Sequence, residues 1–547
     1  MKSLFLLIAA TLGTLATTRV HGFGLPHHQQ QHILSSSGVT THKHQLSGPR
    51  RSDRPVVVPF VPNAAEILAQ FRAGAPMTKA TTGMPPIYND RELYRVQSLP
   101  GIDLLNDEYA TYAGNLIVDD KNSTQFFVYF ERRGEATTDD LVVWFNGGPG
   151  GSSLFGLFVE NGPLVFDTAS NSLVHNPYGW HKAGNALFVE NPAGVGFSTF
   201  TDPANVVKTN KDVGEQFWQF AQQFTRIFEG PHRSTARLTK PVAFRWWITG
   251  ESFAGMYIPY MARAVLDHNR QLQKTESRLD LRGVAIGNGA FESPYSEPAS
   301  WVDYLVTEGI ARDQDRIREL QLFRDACITE RFDSDRYERG DLPGCQAIEA
   351  RLFNQSYFLA LSEGKHCLPT NFDVRVTECG AADPTDAAAG MVATFLNSPR
   401  AAAALHATPA DGPPRPWNFF SAPVYDALNG NGDAPSADLL PGLVKEKVRV
   451  LLYVGDRDFI CPYPGTERML DEYLAWGWGR FGHVRRGFGD QTWREFGTGI
   501  DKTGPFGLTK SARGLTYMRV LNAGHMVPFN DGPGSLAMVE AFVQGDL

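Results

Sequence analysis

Ser252, Asp458 and His525 are residue types that together carry out acyl transfer, and each stands just past an apolar run. Ser252 lies in GESFAG behind VAFRWWIT, Asp456 and Asp458 lie in GDRD behind VRVLLYV, and His525 lies in NAGH behind LTYMRVL. A hydroxyl becomes a nucleophile when an imidazole takes its proton and an acid holds that imidazole in the right tautomer. The chain order Ser, Asp, His is that of hydrolases with a G-x-S-x-G elbow between strand and helix. Ala254 stands where that pattern has its last glycine, a one-methyl change that a tight turn accepts. A capping serine at a helix start would look alike in isolation. Its place behind an apolar run, with an acid and a histidine downstream, favours the elbow. Hydrolysis alone gives no reason for Glu251 beside the serine.

The residues are useful only if elements bring them together. FFVYF, LVVWF, ALFVE, VAFRWWIT, LRGVAIG, VRVLLYVG and LTYMRV are near-continuous apolar runs, the pattern of central parallel strands buried on both faces. Helical stretches such as VGEQFWQFAQQFTRIF and MYIPYMARAVLDHNRQ lie between them. The alternation predicts an α/β-hydrolase fold: a mostly parallel central sheet with helices on both faces, and function at the carboxyl ends of the strands. Between GNG (Gly287 to Gly289) and VRVLLYVG, roughly 160 residues break the rhythm, too many for a loop. They predict a helical insertion, placed as a cap over the site. The expected organisation is a signal peptide at 1–22, a low-complexity or pro-segment at 23–90, core at 91–297, cap at 298–445 and core again at 446–547.

The start carries Lys2, then an apolar stretch from Leu4 to Leu15 and small residues, which reads as an export signal too short to span a membrane. Arg50-Arg51 offers a dibasic processing site, making the chain a zymogen candidate. Asn122 and Asn354 begin N-x-S/T sequons that fit a secreted or vacuolar/lysosomal route. Cys327, Cys345, Cys367 and Cys379 cluster and can form two disulfides in any of three pairings, with Cys461 left over. None of their spacings is the C-x2-C kind, so no metal site is expected. A net charge of −8 argues against nucleic acid as a partner. No cofactor motif is present, and no membrane span is expected.

WFNGGPGGSS, ENPAGVGFS, GESFAGMYIP, GNG, YVGDRDFIC and NAGHMVP occur in this order, and the set resembles the serine carboxypeptidase family from about Val96 to the C-terminus. The resemblance implies an exopeptidase acting on peptide and protein C-termini through Ser252, Asp458 and His525, with Asp456 structural. It implies that Asn146, Gly147, Glu160 and Glu251 bind the substrate's terminal carboxylate, and that the amides of Gly148 and Phe253 bind the oxyanion. Two close acids share a proton, since ionising both is costly. The pair would therefore accept a carboxylate at acidic pH and repel it once ionised. By the same resemblance Cys461 is a thiol on the S1 side, and Met526 lines S1′. A buried inert cysteine is an equal alternative for Cys461. Many relatives have a cysteine at Gly151 bonded to the cap region, and many have tyrosine at Phe253. That tether must be absent here.

Two other readings use the same residues. Carboxypeptidase-like acyltransferases share scaffold and triad but tend to alter the carboxylate-binding set, which this chain keeps whole. A non-catalytic binding or protective protein would be favoured by loss of Ser252, Asp458 or His525, and all three are present. Side-chain preference and oligomeric state are not legible.

Overall fold

In their described residues, the seven runs from FFVYF to LTYMRV fold as strands whose alternate side chains enter opposite faces of one sheet. The computed structural model describes residues 90–105, 107–134, 138–229, 244–273, 278–366, 384–408, 415–474, 492–500 and 503–547. The expected signal peptide, nearly all of the low-complexity segment, Arg50-Arg51, Cys367 and Cys379 lie outside the described residues.

The sheet has eleven strands. They are β1 Arg95–Val96, β2 Tyr109–Ile117, β3 Thr124–Arg132, β4 Asp140–Phe145, β5 Asn185–Val189, β6 Arg245–Glu251, β7 Asp280–Gly287, β8 Arg449–Gly455, β9 Arg494–Phe496, β10 Gly507–Ala512 and β11 Leu515–Val520. Their spatial order is β1-β2-β3-β5-β4-β6-β7-β8-β11-β10-β9. The stretch β5, β4, β6, β7, β8, β11 is parallel. The outer pairs are antiparallel. FFVYF departs from the expectation, since β3 runs antiparallel to both β2 and β5. It reads as a central strand because both its faces are buried, and burial rather than direction erases the alternation.

Two apolar layers cover the sheet. Val143, Phe145, Ile248, Val284, Ile286 and Leu452 face one layer, which includes residues of helices α1 (Asn210–Phe228) and α2 (Ala254–Gln271). Their neighbours Val142, Trp144, Trp247, Ala285, Leu451 and Tyr453 face the other, with Met538, Val539 and Phe542 of helix α3 (Gly532–Gln544). A reciprocal capping box starts α1: the Thr209 hydroxyl accepts from the Asp212 amide at 3.1 Å, and the Asp212 carboxylate accepts from the Thr209 amide at 3.1 Å. Along α1, Val213, Phe217, Phe220, Phe224 and Phe228 recur at helical spacing and are buried. Phe224 meets Phe127 of β3 edge-on at 5.7 Å.

From Gly287 to Arg449 the sheet is interrupted by helices, among them Ala299–Thr307, Gln314–Phe332, Pro343–Leu352 and Ala422–Leu428. Trp301 stacks on Phe459 at 5.9 Å and donates to the Ile460 carbonyl at 3.1 Å, while the Tyr304 hydroxyl donates to the Asp456 carbonyl at 2.9 Å. The first of these helices thus braces the loop that follows β8. Cys327 and Cys345 form a disulfide between Gln314–Phe332 and Pro343–Leu352, and Cys461 is free and buried. The bond closes a loop of 18 residues' separation. By loop-closure entropy, Cys345→Ser should cost about 3 kcal/mol, read as a lower denaturant midpoint for the oxidised protein.

Candidate active site

The elements fix the site because their ends are hydrogen-bonded in succession. The Ser252 amide donates to the Gly287 carbonyl at 3.0 Å, the Asn288 amide to Tyr453 at 2.8 Å, and the Asp456 amide to Val520 at 2.8 Å. The ends of β6, β7, β8 and β11 are therefore level, and the loops bearing Ser252, Asp458 and His525 leave from one edge. Ser252 sits at φ 62°, a left-handed conformation that costs a serine on the order of 1 kcal/mol. Two bonds hold it there: its amide to Gly287, and its carbonyl accepting from the Ala290 amide at 3.0 Å. α2 starts two residues later. This is the strained strand-to-helix elbow expected from GESFAG.

Asp458, not Asp456, meets the histidine. His525 Nδ1 lies 2.9 Å from Asp458 Oδ2. Asp458 is fully buried and also accepts from Asn288 Nδ2 at 2.8 Å, the Ile460 amide at 2.7 Å and the Cys461 amide at 3.2 Å. With that many donors turned toward it, Asp458 is the acceptor on the shared edge, so the proton there belongs to Nδ1 and Nε2 is the basic nitrogen.

Asn146 follows β4, beside the elbow. Its side-chain oxygen accepts from Trp144 Nε1 at 2.9 Å and the Gly156 amide at 3.0 Å, which fixes which way the amide points. Its Nδ2 then donates to Glu160 Oε1 at 3.1 Å and to Glu251 Oε1 at 3.0 Å. Both acids are buried, Glu160 at 4% and Glu251 at 5% exposure, so neither charge is solvated. Burial pushes the Glu160 carboxyl up to about 7. Burial, and then the neighbouring Glu160 charge, pushes Glu251 well above the carboxylate range. Burial and mutual repulsion together oppose ionising both members of the couple.

Gly147 lies against the elbow so tightly that a Cβ there would sit 2.4 Å from the Phe253 nitrogen and 2.7 Å from the Ser252 Cβ. The turn closes with the Gly151 amide donating to Gly147 O at 2.9 Å and the Gly150 amide to the Tyr257 hydroxyl at 3.2 Å. Buried Glu190 anchors its far end, accepting from the Ser153 amide and from Trp417 Nε1, each at 3.0 Å. Burial raises Glu190 to about 7. Where a cysteine tether is absent, Gly151 instead forms a β-bridge with Phe420, flanked by Ser152 N to Phe419 O and Ser421 N to Gly150 O, each at 2.9 Å.

Among the other expected positions, the Cys461 sulfur, an Asp458 oxygen and a His525 ring nitrogen lie within 4.8 Å of one another. Burial, then Glu297, keeps that thiol protonated. Met526 is buried directly after His525. Asn122 and Asn354 are exposed, and Asn354 Oδ1 caps a helix at the Tyr357 amide, 3.0 Å away. Three contributors escaped the sequence reading. Asn288 was visible only as the middle of GNG, Glu190 as the first residue of ENPAGVGFS, and Tyr453 as one more strand aromatic.

A nucleophile elbow after β6, an acid after β8 and a histidine after β11, on a mostly parallel sheet, define an α/β-hydrolase. Residues 100–545 match the serine carboxypeptidase family, and the chain belongs to it as a serine-type carboxypeptidase. It is 30% identical over 461 residues to the pheromone-processing carboxypeptidase kex1 of Penicillium rubens, covering 83% of this chain and 71% of that one. It is 31% identical over 468 residues to the enzyme of the same name from Aspergillus niger, covering 83% and 70%. The crystal structure of Kex1(Δ)p, a prohormone-processing carboxypeptidase from Saccharomyces cerevisiae, shares the fold at a TM-score of 0.69 and 24% identity, covering 84% of this chain and 96% of that one.

Asp458→Asn should preserve the fold and lower kcat by about 10³–10⁴-fold, since an asparagine favours the wrong imidazole tautomer. Gly147→Ala should lower kcat/KM at least 100-fold, roughly the loss of one oxyanion donor, because the added methyl displaces the Phe253 amide. Steady-state kinetics on a blocked dipeptide check both.

Proposed function

We propose that the enzyme removes single residues from peptide C-termini through an acyl-enzyme on Ser252. His525 Nε2 takes the serine proton as Oγ attacks the scissile carbonyl carbon. It returns that proton to the leaving amine when the C–N bond breaks. Water then enters, gives its proton to the same nitrogen, and cleaves the ester. Asp458 orients the imidazole, and the amides of Gly148 and Phe253 receive the oxyanion. Asn146, the Gly147 amide and the Glu160–Glu251 couple receive the substrate's terminal carboxylate, with Cys461 on the S1 side and Met526 on the S1′ side. The helical segment 298–445 caps the site.

One observation carries this reading. The Asn146 amide bridges two buried acids, one of them adjacent to Ser252. An endopeptidase or esterase has no use for a desolvated, proton-sharing couple there. An exopeptidase needs one, because only a protonated acid donates to a carboxylate.

By likeness to relatives named for pheromone and prohormone processing, the substrates are peptides maturing or degraded along the secretory route, outside the cell or in a vacuole or lysosome. Among the described residues no helix is long and apolar enough to cross a membrane. The sequons at Asn122 and Asn354 would carry glycans, and removal of the 23–90 segment would release the mature enzyme.

The pH dependence follows from the sign of the shifts. Glu160 is held up to about 7 and Glu251 is raised further, so the couple is protonated below about 7 and begins to lose protons as pH rises through that value. Peptidase kcat/KM should be highest at acidic pH and fall about tenfold per unit on the alkaline side, one proton being lost. C-terminally amidated peptides should be poor substrates throughout. Glu251→Gln should flatten the alkaline limb, since a glutamine amide donates at any pH. A limb unchanged in Glu251→Gln would refute the couple's role as carboxylate receptor.

A further inference from the structure

The strand register places a second functional group on the row of the acid couple. Glu251 on β6 pairs with Gly287 on β7, and Gly287 pairs with Tyr453 on β8. Residues in one such row project from the same face of a sheet. Gly287 has no side chain, and the tyrosine ring fills the space. A Cβ at Gly287 would lie 2.4 Å from Tyr453 Cζ and 2.5 Å from its hydroxyl oxygen. The ring therefore leans across the glycine, with its hydroxyl directed at the row position of Glu251. Tyr453 is 1% exposed, and among the described residues its hydroxyl has no hydrogen-bond partner. An uncommitted phenol deep in a core is costly, and aromatic hydroxyls ordinarily find a partner when buried.

We infer that Tyr453 is a positioning residue for the acid couple: its hydroxyl donates to the Glu251 carboxylate when the couple loses its proton, and so sets the pH at which the carboxylate receptor switches off. This rests on the couple being that receptor. Burial, then the charges of Glu251 and Glu160, holds the phenol's own ionisation well above its ordinary range, so it serves as a donor at every working pH. The other groups around Glu251 leave this part open. Glu160, on the Gly156–Glu160 turn, and Asp458, after β8, are acids whose charges act on Glu251 and oppose its ionisation. His525, after β11, acts on Glu160. Asn146, after β4, already divides its amide between the two carboxyls. The phenol is the donor on that row which no protein atom engages.

The test compares wild type, Tyr453→Phe and Glu251→Gln in the full chain. kcat/KM for a blocked dipeptide with a free C-terminus is followed from acid to alkaline pH. The infrared band of protonated carboxyl groups is titrated in parallel. A hydrogen bond to a charged group is worth about 1.5–3 kcal/mol, or roughly one to two pH units. In Tyr453→Phe the alkaline limb and the infrared titration should both move up by about one unit or more, with kcat/KM at low pH retained. 3-Fluorotyrosine at position 453, a stronger donor that fills the same space, should move both down. An infrared titration unmoved by either replacement, or lowered by phenylalanine, overturns the inference. Failure of the receptor reading looks different: Glu251→Gln keeps the wild-type limb, and the infrared result still decides the case of Tyr453.

Discussion

The level ends of β6, β7, β8 and β11 are the constraint on which the site depends. A parallel register fixes which residues share a row, and a slip of one would send every side chain to the opposite face. With Ser252 bonded to Gly287, Asn288 to Tyr453 and Asp456 to Val520, each loop leaves its strand at a height set by its neighbour. The serine lies about 200 residues before the acid, and the acid 67 before the histidine, yet their relative placement is a backbone property. The same register lines up Glu251, Gly287 and Tyr453. Glu251 and Ser252 are thus consecutive residues at one strand end, so the proposed carboxylate receptor and nucleophile share one backbone geometry.

Burying acids has a price, and the enzyme accepts it repeatedly. Glu160, Glu190 and Glu297 are all held up to about 7, chiefly by burial, and Glu251 is raised further. A carboxyl whose folded value lies above its unfolded value of about 4.3 contributes stability that is fully present below 4.3. That contribution is lost as pH rises through about 7. The stability these acids contribute therefore declines as pH rises from about 4.3 to about 7, and the proposed carboxylate binding would decline above that range. Glu190 shows why the acids are retained. Neutral or ionised, it accepts from the Ser153 amide and Trp417 Nε1, and so joins the glycine-rich turn to the segment returning from the helical insertion. The β-bridge from Gly151 to Phe420 runs beside it, and backbone hydrogen bonds do there what a disulfide would have done.

How much of this was legible depended on whether a residue's role was local. Strands buried on both faces announce themselves as apolar runs, so β4 to β8 and β11 were readable, as was the elbow between VAFRWWIT and α2. The order of Ser252, Asp458 and His525 was readable for the same reason, each following its own run. Strand direction was not, because β3 is as apolar as its parallel neighbours while running antiparallel. Cysteine pairing was open among three patterns, and only the fold brings Cys327 to Cys345. Asn288, Glu190 and Tyr453 act across strands or between a turn and a distant segment. Their partners lie 170, 227 and about 200 residues away, separations that no local pattern encodes.

The site also contains two side chains able to act as nucleophiles, Ser252 at the elbow and Cys461 beside the imidazole, and the structure distinguishes them. Cys461 lies within 4.8 Å of His525 and Asp458 ligand atoms, and a thiol is intrinsically the better nucleophile once ionised. Its surroundings prevent that ionisation. Burial, then the charges of Glu297 and Asp458, hold its proton in place, and no cation lies among the groups that act on it. A thiolate there would place a negative charge beside the Asp458 and Glu297 carboxyls, which oppose it. Ser252 needs no ionised ground state, because its proton leaves only as the bond to carbon forms. What it needs is the elbow's strained geometry, with backbone amides facing the charge that develops on the substrate. Beside Ser252, Gly147 packs against the Phe253 amide, whereas the Cys461 amide is already bonded to Asp458. Acidic surroundings that would disable a cysteine enzyme are compatible with a serine one, and the proposed carboxylate receptor of paired acids requires them.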